Sequence, residues 1–186
     1  MPNYVYNVIS VEAKYADRLK EIAEVGLCEY YKPKPKALER YRSPVSIVSE
    51  EEYQKALASY DQENSIIGLP MTAKIQSDFI KEYGFDNWYD WHNHNWGTKW
   101  GDFDREYDNG LYSFTTAWDA VSNTIIELLL SDIPDLTYWW EEEQGYGAET
   151  VYKAGEEIKN SCWDKWDIVL SSTTLSSSFD HLFGHR

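Results

Sequence analysis

The pattern of side chains at the start of the chain has a period of two, in which Tyr4, Tyr6 and Val8 alternate with Val5, Asn7 and Ile9. Residues 4–9 read Tyr-Val-Tyr-Asn-Val-Ile, which is typical of a β-strand with both faces partly covered. Leu19 and Ile22 then fall on one face of a predicted helix over residues 14–25, and Gly26 stands where a left-handed cap would end it. The chain therefore begins with a strand followed by a helix.

A region of different pattern, residues 27–85, comes next. Residues 32–36 read Lys-Pro-Lys-Pro-Lys and predict extended chain, because each proline blocks helix formation and disfavours helical geometry in the residue before it. Ser49 and Glu52 form a capping-box pattern at the start of a helix expected over residues 50–60, and a second short helix is expected after Pro70. We interpret the whole region as a helical insertion.

Tryptophans are concentrated in residues 86–100, where a helix is expected between Asp86 and Gly97. Large rings need burial or a partner, and each buried ring contributes about 2–3 kcal/mol. We interpret the block as the wall between the insertion and the sheet. The aromatic candidates for core residues or interface anchors are Trp88, Trp91, Trp96, Trp100, Trp139 and Trp140.

The second half of the chain reads as strands interrupted by one helix. Asn109-Gly110 predicts a tight hairpin turn between strands over residues 102–107 and 111–118, because the pair readily takes the positive φ angles of such a turn. The elements expected after it are a helix over residues 119–131, strands over 136–143 and 148–154, and one more strand within 161–170.

The order of these elements predicts an α+β fold. It is β–α–insertion–β–β–α–β with an extra C-terminal hairpin, which is the split βαβ arrangement of an antiparallel sheet called ferredoxin-like. We expect a single domain over residues 1–171, interrupted by the helical insertion at 27–85. The Ser/Thr-rich residues 172–186 are expected to form a frayed or docked tail.

Several short segments together resemble one family, the YubB-like ferredoxin-domain proteins of plasmids and bacteriophages. The segments are Met1-Pro2-Asn3, Asn7, NWYDW at 87–91, NWGTKW at 95–100, Thr116-Ala117-Trp118 and residues 138–147. The resemblance covers residues 1–12 and 80–158. It implies a ferredoxin-like topology and an origin in a mobile element, but no particular activity. The cysteines that would ligate an iron–sulfur cluster are absent from the sequence.

Net charge is the strongest compositional signal. The chain holds 32 acidic against 17 basic residues, a net charge of −15. Residues 1–85 hold 13 acids and 11 bases, a balance of −2, whereas residues 86–186 hold 19 acids and 6 bases, a balance of −13. Such a surface repels phosphate backbones and anionic membranes, so we expect neither as a direct partner. A basic protein partner is favoured instead.

Carboxylates are spaced two residues apart over 102–108. If this segment is a regular strand, Asp102, Asp104, Glu106 and Asp108 lie on one side at about 6–7 Å spacing, similar to successive phosphates along a nucleic-acid strand. The acidic residues predicted to extend this surface are Glu141, Glu142, Glu143 and Glu149. The alternative is that these charges guard an exposed sheet edge against pairing with another chain.

Other chemistry is weakly signalled. His92 and His94 point apart on a helix, and the two cysteines match neither a disulfide framework nor a zinc knuckle. The pairs Asp102 with Asp104 and Glu141 with Glu143 raise the question of a carboxylate-dependent hydrolase, but nothing marks one member as a general acid. We therefore predict no catalytic residue, no metal site and no cofactor.

These observations favour a non-enzymatic interaction protein of phage or mobile-element origin. We expect an anti-defence inhibitor, anti-CRISPR or anti-restriction, that places its acidic surface on a basic groove of a host nuclease. The alternative is a small-ligand or nucleotide-binding domain with a Trp-lined pocket, and a hydrolase is less favoured. The predicted location is the bacterial cytoplasm, because no signal-peptide pattern or long apolar run is present. Homo-oligomerisation stays open.

Overall fold

The computed structural model describes residues 3–61 and 67–164, and its centre is an antiparallel sheet of six strands. The strands are β1 (Tyr4–Val11), β2 (Phe103–Asp108), β3 (Leu111–Ala117), β4 (Leu136–Glu142), β5 (Gly147–Lys153) and β6 (Glu156–Trp163). They lie side by side in the order β2-β3-β1-β4-β5-β6. The fold is thus a mixed α/β domain with an antiparallel sheet, as the sequence predicts.

Seven α-helices are present in these described residues. They are α1 (Ala16–Val25), α2 (Leu27–Tyr31), α3 (Lys36–Glu39), α4 (Glu50–Ala58), α5 (Ala73–Tyr83), α6 (Trp88–Asn95) and α7 (Asn123–Asp132). A single 3-10 turn, Ala13–Tyr15, leads into α1. No helix within residues 3–61 and 67–164 is both long and apolar enough to cross a bilayer.

One side of the sheet forms the main core with the helices. Val5 and Ile9 of β1 are buried there against Leu19 and Ile22 of α1 and Ile125 of α7. Because successive strand residues point to opposite sides, the alternating pattern of residues 4–9 gives β1 one helix-facing side. The predicted Asn109-Gly110 hairpin turn is confirmed, since φ is 45° at Asn109 and 86° at Gly110.

The region between β1 and β2 contributes to two cores. A second cluster contains Tyr41, Tyr53, Leu69 and Met71. However, α2 and α3 belong to the main core, where Leu27, Cys28 and Leu38 are fully buried. Between these two short helices, residues 33–35 have no regular secondary structure, and Pro35 has extended backbone angles, whereas Lys36 already begins α3. The first part of the predicted insertion therefore packs as part of the main domain.

Two elements differ from the predicted bounds. The helix expected over 119–131 begins at Asn123, because Trp118 has a φ of 77° and the Asp119 carboxylate accepts a bond from the Ala120 amide. The last strand, β6, begins earlier than expected, since Glu156 already pairs with Lys153 in a hairpin. Residues 165–170 of the predicted strand and the predicted tail at 172–186 lie outside the described residues.

A buried polar network ties three central strands together. The Asn7 side chain of β1 is 1% exposed. Its amide nitrogen donates to the Thr116 hydroxyl of β3 at 3.0 Å, and its amide oxygen accepts from the Tyr138 hydroxyl of β4 at 2.7 Å. A one-residue slip would turn Asn7 to the other side of the sheet and leave both hydroxyls without this partner, so the network favours one register.

Replacing Asn7 should therefore destabilise the fold strongly. We expect Asn7→Ala to lower the free energy of unfolding by about 2–4 kcal/mol, because it creates a small cavity, removes the acceptor of the buried Tyr138 hydroxyl and leaves the Thr116 hydroxyl with only its bond to the Asp119 carbonyl. Urea denaturation followed by circular dichroism measures this change. Asn160→Ala, an exposed asparagine of β6, is the control and should change the value by less than about 0.5 kcal/mol. Equal effects would contradict the network's role.

Candidate interaction surface

The predicted row of carboxylates in β2 is interrupted by a bulge. Phe103 pairs with Thr115 and Glu106 pairs with Ser113, so three steps along β2 match two steps along β3. Asp104 lies in this irregular stretch with a φ of 48°. A bulge inserts one residue and shifts the alternation of the strand. The expectation that four carboxylates line one side of a regular strand is therefore wrong.

The Asp102 side chain is directed towards α2 and not along the predicted row of carboxylates. It accepts hydrogen bonds from the Leu27 and Cys28 amides at 2.8 and 2.9 Å and from the Tyr112 hydroxyl at 2.5 Å. The first amides of a helix have no partner inside the helix, and Asp102 satisfies two of them in α2. Its side chain therefore holds α2 against the sheet.

Burial around Asp102 keeps its neighbours protonated. Burial, together with the Asp102 carboxylate, raises the pKa of the Cys28 thiol well above its ordinary value. The same two causes raise the pKa of the Tyr112 hydroxyl. A thiol needs a lowered pKa to act as a nucleophile at neutral pH. This cluster is accordingly structural in character.

Four of the predicted acidic residues lie on the side of the sheet away from the main core. Glu106 pairs with Ser113, Ser113 with Val8, Val8 with Trp139 and Trp139 with Glu149. This row crosses five strands, so its two carboxylates lie about 19 Å apart. Asp108 and Glu141 point to the same side in the neighbouring rows. We call Glu106, Asp108, Glu141 and Glu149 the acidic face.

The acidic face is partly neutralised at its β5 end. The Lys159 ammonium lies 2.8 Å from a Glu149 carboxylate oxygen, and the Trp163 indole nitrogen donates to Glu141 at 3.0 Å. Glu106 and Asp108 are exposed, and neither forms an ion pair within the described residues. The two carboxylates of the acidic face that no ion pair neutralises therefore lie in β2, which also carries the exposed Arg105.

Glu142 and Glu143 are not part of this face. Glu142 points to the core side beside Val5 and is 1% exposed. One of its oxygens accepts from the Gln144 amide at 2.6 Å, and the other has no partner among the described residues. Glu143 is exposed in the turn after β4. The prediction that Glu142 lies on a surface is wrong, because it follows the alternation of β4 into the interior.

The predicted aromatic set divides by position. Trp91 and Trp96 are buried in the main core with their ring centroids 5.4 Å apart, and Trp88 and Trp140 pack against its edge. Trp139 lies on the side of the acidic face, 5.9 Å from the Trp163 ring. Trp100 is 43% exposed. Trp91 and Trp96 are thus core residues and Trp100 is on the surface.

His92 is enclosed by this tryptophan block. Its ring stacks on Trp96 at 4.0 Å, and its Nδ1 donates to the Lys99 carbonyl at 2.6 Å. The residue is 4% exposed, and Nε2 has no partner within the described part of the chain. Burial lowers the pKa of His92 to about 4. The imidazole is therefore neutral at physiological pH.

His94 is exposed and packs against Phe85, so it points away from His92. Among residues 3–61 and 67–164, no three His, Cys, Asp or Glu side chains come together as metal ligands would.

Trp118 is a surface residue that the sequence pattern does not reveal. Its side chain is 42% exposed, and its backbone takes a φ of 77°, which is rare for a bulky residue. The Lys99 ammonium lies 4.7 Å from the Trp118 ring and 5.0 Å from the Trp100 ring. We call Trp100, Lys99 and Trp118 the tryptophan clamp. The motifs Thr98-Lys99-Trp100 and Thr116-Ala117-Trp118 contain these residues, but periodicity placed Trp118 inside a strand.

No family model and no curated protein matches this chain. Among solved structures, the crystal structure of a protein api92 from Yersinia pseudotuberculosis, of the DUF1281 family, is similar to it. The TM-score is 0.44 and the sequence identity is 9%, over 88% of this chain and 98% of that chain. At that score and identity, nothing about a site or a function is carried over from it.

Neutralising Asp102 should destabilise the fold, unlike neutralising its neighbour. We expect Asp102→Asn to lower the free energy of unfolding by about 2–3 kcal/mol, because an amide is a weaker acceptor for the two α2 amides and the Tyr112 hydroxyl. Urea denaturation at pH 7 measures the loss. The same change at exposed Asp104, Asp104→Asn, should cost less than about 0.5 kcal/mol. A surface role for Asp102 would make the two losses equal.

Burial of His92 predicts a loss of stability in mild acid. Its folded pKa of about 4 lies below the ordinary value of 6.5, so the unfolded chain takes up this proton first as the pH falls. The stabilising contribution is complete above pH 6.5 and decreases by up to about 3 kcal/mol towards pH 4. Between pH 7 and pH 4, the free energy of unfolding of the wild type should fall by about 3 kcal/mol more than that of His92→Gln. Identical pH dependence would contradict it.

Proposed function

We propose that the protein is a non-enzymatic inhibitor of host defence, carried by a phage or plasmid and acting in the cytoplasm of a bacterial host. Its acidic face would bind the basic, nucleic-acid-binding groove of a defence nuclease, such as a CRISPR effector or a restriction enzyme. The observation that carries the proposal is the strand register, in which Glu106, Asp108, Glu141 and Glu149 share one side of the sheet.

Charge distribution supports the same proposal. The balance of −13 in residues 86–186 belongs to the half of the chain that supplies five of the six strands. A field of one sign speeds the approach of an oppositely charged partner, while its repulsion of phosphates disfavours nucleic acid as the partner. Asp104, exposed in the β2 bulge, adds to the charge along the edge where Glu106 and Asp108 lie.

The proposal includes a ferredoxin-like topology and membership of the YubB-like family. The strand order β2-β3-β1-β4, with α1 after β1 and α7 between β3 and β4, is the order of a split βαβ unit. The motif residues that carry the resemblance also meet in space. Asn7 bonds Thr116 and Tyr138, and the Thr98 hydroxyl bonds the Ala117 backbone at 2.9 Å.

A second candidate is a small-ligand domain built on the tryptophan block. The observation that favours it is that Nε2 of His92 has no hydrogen-bond partner in the part of the chain that the structure describes, and that the ring lies among Trp88, Trp91 and Trp96. A polar ligand atom would satisfy this nitrogen. The three indoles contact the histidine ring with centroids 4.0–6.0 Å apart, so such a ligand would have to displace part of the core, and we favour the first proposal.

Inhibition of DNA cleavage tests the proposed function directly. Purified CRISPR effectors and restriction enzymes of the bacterial host are assayed on linear DNA with increasing concentrations of the protein. We expect inhibition of at least one enzyme, weakening steeply between 50 and 300 mM salt because the contact is ionic. A variant with Glu106→Gln, Asp108→Asn, Glu141→Gln and Glu149→Gln should inhibit at least about tenfold less.

A control variant separates the acidic face from net charge. Glu50→Gln, Glu51→Gln, Asp78→Asn and Glu82→Gln remove the same charge from exposed positions of α4 and α5, and inhibition should stay within about twofold of wild type. Equal loss in the two variants, or no inhibition of any enzyme, would overturn the proposed function.

A further inference from the structure

Two exposed indoles hold a lysine between them at one end of the sheet. The Lys99 ammonium lies within 5.0 Å of both the Trp100 and Trp118 ring centroids, well inside the distance at which a cation is attracted to an aromatic face. Lys99 has no ion-pair partner within residues 3–61 and 67–164. The two indole rings, and not a carboxylate, are therefore the partners of the Lys99 ammonium.

The backbone holds Trp118 in a strained conformation. A positive φ costs a bulky residue about 1–2 kcal/mol, and such strain persists where the surroundings determine it. Here the Trp118 amide donates to the Asn3 carbonyl at 2.8 Å, and the preceding Ala117 carbonyl accepts from the Lys99 amide and the Thr98 hydroxyl. These bonds fix the loop of Lys99 against the end of β3, so the two indoles are preorganised.

The tryptophan clamp is continuous with the acidic edge of the sheet. Trp100 contacts Phe103, the first residue of β2, at 5.9 Å, and Phe103 contacts Tyr4 at 6.1 Å. On the other side, Trp118 contacts Tyr89 of α6 at 5.7 Å. Asp104 follows Phe103 directly, and Asp119 follows Trp118, and both are exposed. The clamp residues are thus close in sequence to two exposed carboxylates, one in β2 and one directly after β3.

We propose that the tryptophan clamp is a cation-binding site, occupied by Lys99 in the free protein, that accepts an arginine side chain of a basic partner. A guanidinium is planar, stacks on aromatic faces and is less strongly hydrated than an ammonium, so it replaces Lys99 favourably between two indoles. The released lysine stem regains its rotamer freedom. This inference rests on the proposed function for its partner and names arginine as the group that the partner must supply.

Matched peptides test the clamp. Two synthetic peptides of equal length and charge, one with arginine and one with lysine at every basic position, are titrated into the full chain by calorimetry. We expect the arginine peptide to bind about two- to fivefold more tightly. Trp100→Ala or Trp118→Gly should abolish this preference while leaving the lysine peptide unchanged. Glycine suits the positive φ at 118, so the second variant is expected to fold.

Titrating the arginine peptide into a variant without Lys99 tests the clamp most directly. This experiment remains informative even if a tryptophan variant does not fold. Lys99→Met should tighten binding of the arginine peptide, because the clamp is then empty. Lys74→Met, which makes the same charge change at an exposed position of α5, controls for net charge and should tighten binding less. Weaker binding by Lys99→Met would mean that Lys99 itself binds an anionic group, and the proposal would be overturned.

The fourfold acidic-face variant separates this proposal from the proposed function. If it weakens both peptides equally and leaves the preference for arginine intact, the clamp and the acidic face are both supported. If it has no effect while the tryptophan variants remove the preference, the proposed function fails and the clamp stands. Binding of neither peptide, or equal binding of both by wild type, would overturn the clamp.

Discussion

The position of β1 between β3 and β4 is the constraint on which the rest of the structure depends. Asn7 specifies it from inside the core, because its side chain can bond Thr116 and Tyr138 together in one register only. That register sends Val5 and Ile9 to the helices and Tyr6 and Val8 to the other side. It equally decides that Glu141 leaves the core and that Glu142 enters it. A buried amide thus determines which carboxylates contribute to the surface field.

The elements could be predicted from sequence where a local rule acts alone. The β1 alternation, the Asn109-Gly110 turn and the capping box at Ser49 all appear as expected, because each depends on residues a few positions apart. The expected side of Glu106 and Asp108 is also found, since both follow the bulge and lie in regular pairing with β3. Strand order is a longer-range property, and the helix–strand order restricted it to few topologies.

The features that could not be predicted from the sequence depend on contacts between distant segments of the chain. From the sequence, Asp102 is one more member of a regular row of carboxylates. Its side chain points inward because it accepts hydrogen bonds from two amides at the start of α2, which lie 74 and 75 positions earlier in the chain. Trp118 reads as the last residue of a strand, and its left-handed backbone is imposed by Asn3 and the Lys99 loop. In both places, the local pattern is regular and the tertiary hydrogen bond prevails over it, because an unsatisfied buried amide costs more than a bulge or one unfavourable φ.

In the proposed complex, the acidic face and the tryptophan clamp would contribute differently to recognition of the basic partner. Exposed carboxylates act at a distance and mainly raise the association rate, with an effect that salt screens. Preorganised indoles act on contact and limit dissociation, since little side-chain freedom is left to lose. Lys99 bears on the contact role, because in the free protein its ammonium lies over both indole faces. In the proposed complex, an arginine of the partner would replace the lysine cation between the indoles, whereas a neutral protein surface would leave Lys99 in place.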